Sequence, residues 1–329
     1  MLVMELWQLG DLVMATPFLR AAVETFDVTL VCKPFGKDLQ PRFWPEVKVI
    51  PFLAPWTAFK GKYRLHAWPW REMVRLLGEI HHARFDVALS ARGIGIRGDP
   101  RDHVLLRLTG ARERLGFPSM GSQVFLTRPL KRPDLEAHRV EYWRVLGRSL
   151  GLTLPSRKEI PIPQSGPRRE LILVHSGAGQ PVRVWPLERY RGLAGRLRKN
   201  NFPVQVVCDP DQKDWWLAAG ENQVAIPQTV TELLELVDRA ALFIGNDSGP
   251  GHLAAMAGVP TFTLFGPQLP EWFAPLHPES AWMEGKACPY KPCWDECCWR
   301  SPLCLENISE DEAWVNIERF VVRQRAMAT

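Results

Sequence analysis

Residues 243–266 read FIGNDSGPGHLAAMAGVPTFTLFG, and the fold follows from how that string divides. The run Ala240-Ala241-Leu242-Phe243-Ile244 is short and apolar, as a buried strand is. Gly245 breaks it, an Ala-rich helical segment starts at Pro250 and stops near Gly258, and residues 259–265 form a second apolar run closed by Gly266-Pro267. Strand, glycine-rich turn, helix, strand is half of a doubly wound α/β domain. Pro250 suits the first turn, where a missing N–H costs nothing. Asp247 or Ser248 can cap the helix. The N–H groups of that turn and the positive end of the helix dipole make an anion site; Gly249 and Gly251 let a phosphate approach, and His252 adds a donor. On spacing alone, an ordinary capped βα turn reads equally well.

The chain of 329 residues is long enough for two such domains. With 46% apolar and 23% charged residues its composition is that of a globular protein. No apolar run approaches the ~20 residues that span a bilayer. Glu5 and Asp11 interrupt the N-terminus, which lacks the basic start of a signal peptide. The expectation is a cytoplasmic protein, with peripheral contact at the inner membrane as an extension of it. The net charge of +5 has a local excess: residues 92–114 hold six Arg against Asp99, Asp102 and Glu113. Such a stripe suits nucleic acid, a membrane surface or a phosphorylated glycolipid, and equally a solvated helix face.

Residues 1–6 read as a first strand, followed by Gly10, Asp11 and a helical pattern through Ala22. Asp11 can cap that helix or serve as a general base at the carboxyl end of the strand, where open α/β sheets place ligands. Residues 28–32, 48–52 and 85–90 are further strands. Aromatic and basic residues mix over 51–70, which fits a buried cluster or an acceptor- or membrane-facing loop. Arg92, Arg97 and Arg101 follow the fourth strand and can bind phosphate or carboxylate. The Pro-rich, polar stretch 154–169 is an interdomain linker. Beyond it come a strand at Leu171–His175, the turn Ser176-Gly177-Ala178-Gly179, Arg183, and Trp185-Pro186 opening a helix. Trp185 and Pro186 fix that loop. Residues 204–208 end in Asp209-Pro210-Asp211, whose D-x-D metal reading is set aside because it falls in the second half of a two-domain pattern. Five of the seven Cys lie within residues 288–304. Cys288, Cys293, Cys297 and Cys304 could hold structural zinc or iron; free thiols and disulfides stay open beside that reading.

Three of these blocks carry a resemblance. Asp247, Ser248, Gly249, His252, Ala254, Ala255, Gly258 and Pro260 resemble the nucleotide-sugar signature of the ADP-heptose:lipopolysaccharide heptosyltransferases, glycosyltransferase family 9. Leu9-Gly10-Asp11 with Ala15-Thr16-Pro17 resembles that family's N-terminal motif. His175, Gly177, Ala178, Arg183, Trp185, Pro186 and Tyr190 resemble its second block. The resemblance implies the GT-B fold: two facing, Rossmann-like doubly wound α/β domains at 1–160 and 168–305, and a closing helix in 306–329 that crosses back to the first. It implies inverting transfer of a heptose or related sugar from ADP-heptose to a hydroxyl of lipopolysaccharide core or another glycoconjugate, with no cofactor needed for catalysis. Asp11 would be the base. Arg183, Asp247, Ser248, Gly249 and His252 would hold the donor, and Arg92, Arg97 and Arg101 would hold an anionic glycolipid or glycoprotein acceptor, with no nucleic-acid partner. The family usually has a Gly-Gly pair where Asp209 begins its run, so the nucleoside contacts stay open. A catalytically silent nucleotide-binding protein and a GT-B sugar-nucleotide epimerase are the rival readings.

Overall fold

A computed structural model describes residues 1–58, 64–92, 100–134, 136–161, 163 and 170–328. The chain divides into two compact units, Met1–Pro155 and Ser156–Thr329. The first holds strands β1 (Leu2–Glu5), β2 (Thr29–Cys32), β3 (Lys48–Pro51), β4 (Val87–Ser90), β5 (Glu113–Gly116) and β6 (Arg128–Pro129). Their order is β3-β2-β1-β4-β5-β6, all parallel. The second holds β7 (Leu171–His175), β8 (Val204–Val207), β9 (Ala240–Asn246), β10 (Thr261–Phe265) and β11 (Ala281–Glu284), ordered β11-β10-β9-β7-β8, again all parallel.

Both are doubly wound α/β sheets, and each has one point where the winding reverses. In the first it lies between β1 and β4, in the second between β7 and β9. Loops leaving the carboxyl ends of two neighbouring strands part there and leave a crevice. β1, at the first crevice, and β10, beside β9, are buried at every position, as strands covered on both faces must be.

The first core gathers Leu2, Met4, Leu6, Val31, Ala88 and Leu106 around β1, and the second gathers Val174, Val206, Ile244 and Leu264 with the fully buried Trp185, Tyr190 and Trp216. Burial of each such side chain is worth roughly 1.5–3 kcal/mol. The helical pattern expected through Ala22 is split into Leu9–Met14 and Thr16–Val23. Pro17 explains the break, since it has no N–H to give to the preceding turn. The closing helix Glu310–Ala328, which the resemblance would send back to the first unit, puts Ala313, Ile317, Phe320 and Val321 into the second core. Among the described residues no helix is long and apolar enough to cross a membrane.

Candidate functional site

In the second unit β9 delivers Asn246, Asp247 and Ser248 to the crevice, and the helix Gly249–Met256 starts at once. Asn246 is buried and spends its whole amide. Its Oδ1 accepts from the Trp185 N–H (3.0 Å) and the Tyr190 hydroxyl (2.8 Å), and its Nδ2 donates to the carbonyls of Ser176 (2.9 Å) and Gly177 (3.2 Å). One side chain thus ties the loop after β7 to the turn after β9. Trp185 anchors the far side through its indole, which donates to the Ile308 carbonyl at 2.9 Å.

Ser248 holds the cap position with extended backbone, but its side chain makes no cap hydrogen bond. The expected cap is therefore not formed. Its hydroxyl is instead buried with no hydrogen-bond partner among the described residues. Leaving a buried hydroxyl unpaired costs about 1–3 kcal/mol, so this one has hydrogen-bonding capacity to spend. Pro250 lies in the first turn, and Asp247 and His252 are buried beside it.

Arg183 follows β7 and reaches the same turn. Its Nη1 donates to Asp247 Oδ2 at 3.2 Å. Its Nε and Nη2 donate to the two carboxylate oxygens of Asp295, each at 2.8 Å. Asp295 belongs to the Cys-rich segment and has φ +68°, next to Trp294 at +55°. Asp209 also closes on this corner. Its carboxylate stands 3.8 Å from the buried ring of His175 and against Gly177, where a Cβ on residue 177 would overlap it. Burial lowers the proton affinity of His175, and Asp209 works against that.

The first unit's crevice is a shallow recess lined by Glu5, Asp11, Ala91, Arg92, Arg139 and Tyr142 among others. Asp11 is not the cap of its helix. Gln8 is, in a reciprocal box in which Asp11 Oδ2 accepts from the Gln8 N–H at 3.1 Å. Gln8 in turn accepts from Lys33 Nζ at 3.0 Å. The Arg92 guanidinium lies flat on Trp7, 3.3 Å from the ring centroid. Arg101 does not join the recess lining; it stands over Trp56 at 5.9 Å. Arg97 lies outside the described residues, as do residues 59–63 of the aromatic and basic stretch. Burial, then Asp11, pushes Glu5 up to about 8, and burial brings Arg139 down to about 10. Asp102 is fully buried and accepts from the indoles of Trp56 (2.8 Å) and Trp7 (3.4 Å).

The seven cysteines are free thiols. Cys288, Cys293, Cys297, Cys298 and Cys304 line one small recess together with Val182, Tyr290 and Lys291. Among the described residues, however, no three His, Cys, Asp or Glu side chains stand close enough to share a metal ion. The four-thiolate zinc or iron site expected at Cys288, Cys293, Cys297 and Cys304 is not assembled in this arrangement.

Four residues of these corners escaped the sequence. Asp295 carries no local signal, because its partner is far along the chain. Asp102 counted only as one charge of the 92–114 stripe, and Arg139 carries no local signal. Glu5 did have a signal, a carboxyl at the end of an otherwise apolar strand, which costs stability unless something uses it.

Residues 92–302, more than half of the chain, match the family model "Glycosyltransferase family 9 (heptosyltransferase)". A lipopolysaccharide heptosyltransferase 3 of Escherichia coli K12 is 27% identical over 110 residues, 31% of this chain and 32% of its own length. A lipopolysaccharide heptosyltransferase 1 of Pseudomonas aeruginosa is 30% identical over 137 residues, 40% and 38% of the two chains. The alignments thus span about a third of these relatives' length. Among solved structures, the E. coli heptosyltransferase WaaC with ADP superposes with a TM-score of 0.73 at 18% identity, covering 97% of this chain and 99% of that one. E. coli ADP-heptose lipopolysaccharide heptosyltransferase II gives 0.72 at 17%, with 98% and 99% covered. The iron-containing dodecameric glycosyltransferase TibC of enterotoxigenic E. coli gives 0.56 at 14%, with 100% and 76% covered. At these identities the likeness is one of fold, and the fold is that of the GT-B heptosyltransferases.

Proposed function

The chain belongs to glycosyltransferase family 9, the heptosyltransferases, and from that membership we propose that it is an inverting transferase. It moves a heptose or related sugar from ADP-heptose to a hydroxyl of a lipopolysaccharide-core type acceptor. The second unit takes the donor. The observation that carries this reading is the orphaned Ser248 hydroxyl at the N-terminus of the helix Gly249–Met256, with Arg183 hydrogen-bonded beside it. Helix N–H groups, an unused hydroxyl and a guanidinium are the set that holds a diphosphate. That a solved relative of the same fold is described with ADP supports the choice of nucleotide.

The acceptor hydroxyl attacks the anomeric carbon from the face opposite the diphosphate. Asp11 takes its proton as the new C–O bond forms. The bond from carbon to phosphate oxygen breaks with its electron pair, and ADP leaves with one more negative charge. Arg183, His252 and the amides after Ser248 stabilise that charge, which is larger in the transition state than in the bound donor. Arg92, with Arg97 and Arg101, binds anionic groups of the acceptor. Lipopolysaccharide core is made on lipid, so the acceptor brings with it peripheral contact at a membrane.

Calorimetric titration with ADP, UDP and GDP tests the donor site. ADP alone should bind tightly, and Arg183→Ala should weaken it by at least ~10-fold, one charge-assisted contact's worth. Asp11→Asn should keep ADP binding and lose turnover. Failure of all three nucleotides to bind would overturn the reading, and donor turnover without acceptor would favour an epimerase.

A further inference from the structure

Glu5 is the last residue of β1, a strand buried at all four positions, and it ends at the crevice. Its side chain accepts from the Trp7 N–H, which donates to Oε1 at 3.2 Å. Charged groups approach it from every element around. Asp11 comes from the helix Leu9–Met14, Lys33 and the Cys32 thiol from the end of β2, and Arg92 from the end of β4. Asp102 comes from the helix Arg101–Leu108, and Arg139 and Tyr142 line the recess from the opposite wall.

Most of these groups are already engaged. Asp102 is held by two indoles, Lys33 by the Gln8 amide, and Arg92 by the face of Trp7. One oxygen of Asp11 is taken by the Gln8 N–H. Glu5 and Asp11 remain as two carboxyls in one small recess, and two carboxyls so placed do not both ionise freely.

We propose that Glu5 is a positioning residue for Asp11: a neutral carboxylic acid in the recess whose proton keeps the pair at a single negative charge, so that Asp11 is the one carboxylate an acceptor hydroxyl meets. This rests on the assignment of Asp11 as base. Removing the Glu5 proton puts a second negative charge in the recess, which repels an anionic acceptor. Burial and Asp11 together hold that proton up to about pH 8, against the pull of Arg92.

Two measurements on the full chain test the pair. The first is carbon-13 NMR titration of protein labelled at the Glu side-chain carboxyl. One Glu carboxyl should titrate near pH 8, vanish in Glu5→Gln, and move to lower pH by roughly one unit in Asp11→Asn, because the like charge is gone. The second is the pH profile of kcat/KM with ADP-heptose and heptose-free lipopolysaccharide core. The wild type should lose about 10-fold per pH unit on the alkaline side of that titration, and Glu5→Gln, neutral at every pH, should keep kcat near the wild-type plateau and show no such limb. A Glu5 carboxyl that titrates in the ordinary range, is indifferent to Asp11→Asn, or leaves the alkaline limb in place when replaced overturns the proposal. If Asp11→Asn retains turnover, the base assignment falls instead, and the NMR coupling still reports whether the two carboxyls share a proton.

Discussion

Replacing Asp295 by Asn should tighten ADP binding. The guanidinium of Arg183 stands between two carboxylates, Asp247 at 3.2 Å and Asp295 at 2.8 Å twice over, so the corner carries one net negative charge. A diphosphate cannot take Arg183 without displacing one of them. Asp247 is almost wholly buried on the signature turn, whereas Asp295 sits on the Cys-rich segment with its backbone in the left-handed region. Asp295 is the carboxylate that yields. Hydrogen bonds to charged groups are worth about 1.5–3 kcal/mol, and an amide leaves a neutral remnant of that interaction. The relief on ADP binding is then about 1–2 kcal/mol, or roughly 5- to 30-fold in Kd. Calorimetry of wild type and Asp295→Asn side by side reads it directly. In the Arg183→Ala background the same change should do little, since the two residues act as a pair. An unchanged or weaker Kd in Asp295→Asn refutes the displacement argument and makes Asp295 a support that the donor needs in place.

Other expectations follow from single contacts. Asn246→Ala strips four hydrogen bonds from a buried corner and leaves their partners unpaired, so chemical denaturation should show a loss of about 3–5 kcal/mol. His277, half-buried, is held down to about 4, mainly by burial. The unfolded ring takes up its proton near pH 6.5, so the stability it contributes is full above that pH and is lost as pH falls toward 4, by about 3 kcal/mol. His277→Gln should flatten denaturation midpoints over that window. A Cβ on Gly285 would collide with the Cys304 carbonyl, so Gly285→Ala should shift the Cys-rich segment and speed thiol labelling at Cys304. Asp209→Gly should open the space beside Gly177 and broaden nucleotide selectivity in the ADP, UDP and GDP titration.

How much of this was legible in the sequence depended on whether a residue's partner lay nearby. β7 is found at Leu171–His175 as read, because four apolar residues between Glu170 and His175 leave little choice. β9 and β10 were equally plain. β5, β6 and β11 were missed, since edge strands such as Arg128–Pro129 carry polar residues and owe their identity to the strand beside them. At the site, Arg183 was legible from its spacing to Trp185. That its two sides are filled by Asp247 and Asp295 was not, because those contacts span 64 and 112 positions. Ser248 stands at the helix start as read; of the two roles open to it there, cap and donor contact, the cap hydrogen bond is not formed. Arg92 faces the recess as the pattern after β4 suggested, while Arg101, the first residue of the next helix, stands over Trp56. The thiol density at 288–304 was visible, but composition says nothing of how far apart the sulfurs stand.

All nine strand pairings in the two sheets are parallel. No pair can therefore zip up from a tight turn, and each must wait for a whole crossover to be laid down. Loop-closure entropy is spent before any ladder repays it, so this chain should fold slowly and expose strands as apolar as β1 and β10 while it does. Refolding yield should fall steeply with protein concentration, and slow, cool synthesis should raise the recovered fraction.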